Sequence, residues 1–285
     1  MKKAVKQSRW TSFKRTLYNP QKNEICGRTF REWVLIFIFY VLAYCFLAGF
    51  FIGMLFVFLY AYVDSGVPTL TGEHSILRFR PGIGLAAKPN AYDTFIQVAT
   101  YQSTINDPYI NKVNELFSKY TSTNENENCD TPGLHPNNPN IPCIFDLSVL
   151  GECRNIVTSL MEGKPCVLVK VNRIFGWLPH LENPSEIPSP GIECGGTNEF
   201  DRESLGVIRY FPEHTGLDMK KYGLFSNNYF PFVGIKNYQD PLVAVQFLNI
   251  TKNHVVLVEC HLVGIKNGGG GASFEISVDD RVLGK

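Results

Sequence analysis

Residues 33–63, WVLIFIFYVLAYCFLAGFFIGMLFVFLYAYV, hold no Asp, Glu, Lys, Arg or His. The hydrocarbon core of a bilayer takes roughly 20 apolar residues as a helix. In lipid, a helix is the one isolated segment that satisfies its own backbone. At about 1.5 Å per residue this run outreaches the core, so it tilts or its ends enter the interface. Core helices of soluble proteins are shorter and carry some polar residues. A cleaved signal peptide has a shorter apolar run and no 32-residue tail in front of it. A single transmembrane helix over 33–63 is therefore expected, with a tail (1–32) before it and a larger region (64–285) after it.

Charge orients that helix. The tail carries Lys2, Lys3, Lys6, Arg9, Lys14, Arg15, Lys22, Arg28 and Arg31 against Glu24 and Glu32, a net of +7. The whole chain is only +1, so the region after the span is −6. Basic residues beside a span stay cytoplasmic, which places the tail inside and 64–285 outside, a type II orientation. Retention by this rule and contact with anionic lipid account for the basic tail without nucleic acid. Ser8 and Ser12, near Arg9, Lys14 and Arg15, are candidate kinase targets in what otherwise reads as a juxtamembrane linker.

Cysteine usage agrees with this orientation. Cys26 lies in the tail and Cys45 in the span, and the other six (Cys129, Cys143, Cys153, Cys166, Cys194 and Cys260) all follow the span. An even set in an oxidising compartment reads as three disulfides. Six cysteines allow 15 pairings, and spacing does not choose among them. There is no Cys-x-x-Cys, and no His at ligand spacing from the cysteines, so no metal is expected.

Within the span, Tyr40 and Tyr44 share one helix face. Gly49 and Gly53 form a small-xxx-small pair that admits a close neighbouring helix. Nine residues separate Tyr40 from Gly49, which at 100° each puts the two pairs on opposite sides. Two helix-contact faces are expected, the bland alternative being a passive anchor. Residues 64–90, with Pro68, Pro81 and Pro89, read as an extended extracellular stalk, and residues 91–285 as the folded ectodomain. Asp107-Pro108 predicts an N-cap and first helical residue. Ile110, Val113, Phe117 and Tyr120 follow at helical spacing, giving a helix over about 108–121. TSTNENENCDTPGLHPNNPN reads as a loop.

From Ile141 on the pattern is of strands. Val167, Val169 and Val171 alternate in one, and Val256, Val258, Cys260 and Leu262 share a face of another, which buries Cys260. Phe274, Ile276 and Val278 alternate near the C-terminus. Leu205–Phe211 and Leu242–Ile250 are further candidates. Strands at this density with one helix predict a two-sheet β-sandwich. Gly268–Gly271 reads as a flexible hairpin turn.

The chemistry of catalysis is not visible. The chain has no Gly-x-Ser-x-Gly elbow, His-Glu-x-x-His or phosphate loop, and no Asp-x-Asp of a sugar-nucleotide transferase. His254 and His261 fall on opposite strand faces, which argues against a shared metal. No cofactor is expected. Asn249-Ile250-Thr251 is the one usable N-glycosylation acceptor, since Pro184 excludes Asn183.

Several blocks, taken in order, carry a resemblance over most of the chain. They are FKRTLYNPQKNEICGRTFREW before the span, FYVLAYCFLAGFFIG within it, and then CIFDLSVLGEC, GKPCVLVKVNRIFGWLP, YFPFVGIKNYQDPLVAVQFLNIT and VECHLVG. With this topology, the chain resembles the beta subunit family of sodium/potassium-transporting ATPases and their potassium/proton relatives. The resemblance implies an immunoglobulin-like β-sandwich with an inserted helix, and disulfides Cys129–Cys143, Cys153–Cys166 and Cys194–Cys260. It implies that Tyr40 and Tyr44 pack on a transmembrane helix of a catalytic alpha subunit and that Gly49 and Gly53 match the family's glycine pair, a face open to a small single-span third subunit. It also implies that the stretch Tyr229 to Pro241, with Tyr229, Phe230, Phe232 and Tyr238, meets the alpha subunit's outer loops.

The implied role is accessory rather than enzymatic: folding, assembly and plasma-membrane delivery of the alpha subunit, and a bias on potassium occlusion. The first disulfide loop and several later segments are short for the family, and the glycine-rich hairpin has no counterpart to carry over. A single acceptor asparagine leans toward the sodium pump over the more heavily glycosylated proton pump. The tail also lacks the glutamate-rich runs of the family member that left the pump. The alternatives are a proton-pump beta subunit and a homophilic adhesion glycoprotein on a passive anchor.

Overall fold

The computed structural model describes residues 18–19, 24–64, 66–90, 92–120, 129, 142–266 and 268–280. Ser8, Ser12, most of the basic tail and nearly all of the polar loop after Tyr120 lie outside the described residues. The chain forms two compact units, 1–65 and 66–285.

In the first unit, three two-residue strands, β1 (Tyr18–Asn19), β2 (Glu24–Ile25) and β3 (Arg28–Thr29), lead into helix α1 (Phe30–Tyr62). The helix starts three residues before the apolar run and stops one residue short of its end. Glu32 explains the early start: its Oε2 accepts from the backbone N of Thr29 at 2.9 Å, the reach-back of a capping box. Trp33 Nε1 donates to the Ile25 carbonyl at 2.9 Å and pins the turn to the helix. No residue of α1 is buried within the chain, so its whole apolar surface is left for lipid or for other helices.

The second unit is mainly β. One sheet has six strands in the order β5-β13-β12-β7-β10-β9: β5 (Phe95–Ala99), β7 (Gly191–Gly196), β9 (Glu213–Thr215), β10 (Lys221–Leu224), β12 (Val255–Val263) and β13 (Gly271–Asp279). The other has four, β4-β6-β11-β8: β4 (Ile83–Leu85), β6 (Cys166–Val171), β8 (Ile208–Phe211) and β11 (Leu242–Phe247). All pairings are antiparallel except β5 with β13. The sheets share one core, in which Phe247 of β11 meets Phe274 of β13 with ring centroids 6.3 Å apart. At Gly223 of β10 an added Cβ would collide with Val243 of the facing sheet and lie 2.8 Å from Ile192 Cγ2. No side chain fits there.

Val256, Val258, Cys260 and Leu262 are all buried, as are Phe274, Ile276 and Val278. Strand β6 differs from the alternating pattern. Cys166 and Leu168 are as buried as the valines, because helices α2 (Ser103–Ser118) and α3 (Ile156–Met161) lie in the same core region. Tyr109 of α2 donates to the Cys166 carbonyl at 2.9 Å.

Four expectations are corrected. Residues 83–85 are not stalk: they pair with β6 as β4, with Ile83 and Leu85 buried, so the folded unit takes in part of 64–90. Helix α2 starts at Ser103, with Pro108 inside it, and ends at Ser118. Its first turn is anchored by Asn106, whose side chain accepts from Ala99 N at 2.8 Å and donates to Ala99 O at 2.9 Å. Pro108 removes only one early helical bond. Leu205 ends a short helix, α4 (Glu199–Leu205), rather than starting a strand. The glycine run does join β12 to β13, but it is packed. Gly270 N donates to Pro81 O at 2.9 Å, and a Cβ on Gly269 would collide with the Leu262 side chain.

Candidate interaction surfaces

On α1, Tyr40 and Tyr44 stack with centroids 6.2 Å apart at an interplanar angle of 28°. Two further aromatic pairs sit lower on the helix, Phe56 with Tyr60 and Phe58 with Tyr62. A Cβ built on Gly49 or Gly53 meets nothing within 4 Å. The helix thus has an aromatic ridge and, on the other side, a flat glycine patch, both uncovered by this chain.

The 229–241 stretch of the second unit is built from the inside. Tyr229 is buried, and its hydroxyl donates to the Ile144 carbonyl at 2.7 Å. Phe145 packs edge-on between Tyr229 and Tyr120. Phe232 is buried against Phe175 and Tyr238, and Phe230 packs on Trp177. Tyr238 donates to the Tyr229 carbonyl at 2.7 Å, which cross-ties the loop. Of the four aromatic residues singled out, Tyr229 and Phe232 are therefore internal, and Phe230 and Tyr238 are half-buried. The exposed residues of the stretch are Pro231, Val233, Gly234, Lys236 and Asn237.

The anchor of this loop is a charge cluster that the sequence reading missed. Asp240, buried, receives Arg173 Nε on Oδ1 at 2.7 Å, and Arg173 Nη2 at 3.0 Å and Lys170 Nζ at 3.1 Å on Oδ2. The Arg173 guanidinium lies 5.1 Å from the Phe232 ring centre and 5.2 Å from that of Tyr238. Its hydrogen bonds to Asp240 raise its pKa further, so it stays charged. Tyr120 donates to the Asp240 carbonyl at 2.9 Å, and Gln239 accepts from Phe145 N at 2.7 Å. A lysine in the otherwise apolar strand CVLVKV was the available signal, since a buried-sheet cation needs a partner.

Three disulfides staple the unit: Cys129–Cys143, Cys153–Cys166 and Cys194–Cys260. Cys194 and Cys260 sit directly opposite each other on neighbouring strands β7 and β12. Cys26 and Cys45 are unpaired and exposed. Asn249 is exposed in the β11–β12 connection, where Thr251 N donates to the Ser204 carbonyl at 2.7 Å. Among the described residues, no cluster of three or more His, Cys, Asp or Glu could hold a metal. His254 packs on Phe200, and His261 lies 3.4 Å from Glu259.

These elements define a class: a single-pass membrane protein with a disulfide-bonded, mainly-β domain. The sequence model of the sodium/potassium ATPase beta chain matches residues 2–268, and the chain belongs to that family. It is 32% identical over 295 aligned residues to a Caenorhabditis briggsae protein named as a probable sodium/potassium-transporting ATPase subunit beta-3, covering 95% of this chain and 87% of the relative. It is 33% identical to the Rhinella marina sodium/potassium-transporting ATPase subunit beta-2, covering 89% and 86%, and 30% identical to the human beta-2 subunit, covering 89% and 85%.

Proposed function

We propose that this chain is the non-catalytic beta subunit of a sodium/potassium pump, and that it acts by assembly with a catalytic alpha subunit. The observation that carries this reading is the family match, which runs through both the apolar helix and the β domain. The aromatic ridge at Tyr40 and Tyr44 is the face for an alpha helix, and Gly49 and Gly53 leave the opposite side for a small third subunit or lipid. The domain docks through the exposed rim of the 229–241 loop, with Tyr229 and Phe232 holding its shape. The basic tail keeps the N-terminus cytoplasmic, and Asn249 accepts a glycan outside. Docking stabilises the alpha subunit, permits delivery to the plasma membrane and biases potassium occlusion through contacts that differ between pump states.

The test is a mild-detergent pull-down of the tagged full chain from its native membrane, read by mass spectrometry. Equimolar recovery of a P-type ATPase catalytic chain supports the reading. Recovery of the chain alone, or only with copies of itself, overturns it and favours adhesion.

A further inference from the structure

Beside the loop lies a cleft of about 390 Å³ lined by Lys119, Tyr120, Lys170, Arg173, Tyr238 and Asp240. Its charges do not balance. Asp240 supplies one negative charge at the base and is shared by Lys170 and Arg173. The Asp240 side chain is 7% exposed, whereas those of Lys170 and Arg173 are 31% and 43% exposed. Lys119 at the rim adds a third cation, and its partner Glu115 is shared with Lys112. Tyr120 and Tyr238 contribute no anion, because burial holds both phenols neutral. An ammonium has three donors and a guanidinium five. Beyond Asp240 and the Tyr238 carbonyl, Lys170 and Arg173 have no further acceptor among the described residues.

We propose that this cleft receives a carboxylate from an acidic side chain on the outer surface of the catalytic subunit. The inference rests on the pump reading and deepens it. Tyr238, Gln239 and Asp240 belong to the loop whose rim is the proposed docking face, so a partner seated there brings its side chains over the cleft. A carboxylate accepts in a plane from a guanidinium and an ammonium together, and charge-assisted bonds of this kind are the strong ones. It would restore neutrality at a part-buried site, and such complementarity fixes register between partners.

The experiment co-expresses the full chain with the catalytic alpha subunit and measures the alpha subunit recovered in mild detergent. Lys170→Glu is expected to cut recovery about tenfold, a loss of about 1.4 kcal/mol of association, and Lys170→Arg to retain it. The smaller loss from Lys170→Met should fade as salt rises to about 1 M, where screening is strong. Carbodiimide coupling should join Lys170 or Lys119 to an Asp or Glu of the alpha subunit. Lys119→Glu, at the exposed rim, keeps the test valid if Lys170→Glu misfolds. Wild-type recovery by folded, disulfide-intact Lys170→Glu and Lys119→Glu chains at low and high salt would overturn the inference. So would coupling of Lys170 to Asp240 alone. If the unaltered chain recovers no alpha subunit, the pump reading fails, and this inference with it.

Discussion

Arg173 and Asp240 form a two-pronged pair, with Nε 2.7 Å from Oδ1 and Nη2 3.0 Å from Oδ2. Arg173 lies just after β6 and Asp240 just before β11, so the pair closes the base of the 229–241 loop where two adjacent strands begin and end. Losing one member of a fully buried pair costs about 3–5 kcal/mol. Here Arg173 is part-exposed and Lys170 remains. Arg173→Ala should therefore lower stability by about 2 kcal/mol. Arg173→Lys should recover little of that loss, because an ammonium neither forks onto the carboxylate nor offers a planar face to the Phe232 and Tyr238 rings beside it. Urea midpoints of the full chain in detergent test this. A double variant with Asp240→Asn should lose less than the sum of the singles, and strict additivity would show that the two residues do not act together.

Gly223 is a packing requirement. Gly223→Ala would thrust a methyl into Val243 and Ile192 and should cost about 2 kcal/mol, in the range of core overpacking. Gly195 of β7 has nothing within 4 Å of its Cβ position, so Gly195→Ala should be near neutral. Equal midpoints for the two variants would contradict the close approach of the sheets.

Cys260→Ser breaks a bond that closes 66 residues of sequence. On the chain-entropy account this costs about 4 kcal/mol, enough to unfold a marginal domain. It also frees Cys194 for wrong pairing. The variant chain should become trypsin-sensitive and be retained before the cell surface. Normal surface labelling would argue that this bond is dispensable.

Much of this architecture was legible because its signals are periodic. The span needed only the absence of charge, and the faces of β12 and β13 followed from alternation at Val256, Val258, Phe274 and Ile276. What failed depended on distant neighbours. Ile83–Leu85 is too short and too close to prolines to read as a strand until β6 is there to pair with it. Asp107-Pro108 is a sound local N-cap that lost to the Asn106–Ala99 bonds. The contact role of Tyr229 and Phe232 is implied by the family resemblance, which says nothing of burial, and both side chains face inward in this chain. Asp240 carried no local mark at all, since its partners lie 67 and 70 residues away.

The buried phenols make stability fall in alkali. Burial pushes Tyr210 up to about 12, and Tyr109, Tyr120 and Tyr238 higher still. In the unfolded chain a tyrosine ionises near 10, so above that pH the unfolded state sheds protons that the fold retains. The contribution of these groups is complete below about pH 10 and is lost as pH climbs toward 12 and beyond. Keeping Tyr210 neutral across that interval accounts for roughly 3 kcal/mol. Urea midpoints should therefore hold from pH 8 to 9.5 and drop steeply above 10. Tyrosinate absorption from these residues should appear together with unfolding. Full tyrosinate absorption in a chain that still resists urea would refute the assignment.

Tyr40 and Tyr44 give the most direct test of the proposed role. Their stacked rings project from a helix that buries nothing in its own chain, so Tyr40→Ala with Tyr44→Ala should leave the β domain's urea midpoint unchanged. Any effect must come through a partner. A contact shifts the balance between two pump states only by the difference in its strength between them. If the ridge packs on an alpha helix that moves during potassium occlusion, the double variant should change apparent potassium affinity by a few-fold, about 1 kcal/mol of coupling. Apparent ATP affinity should change less. Potassium activation curves of the purified complex that overlay the unaltered ones would remove the tyrosine ridge from the coupling and leave it as a lipid-facing surface.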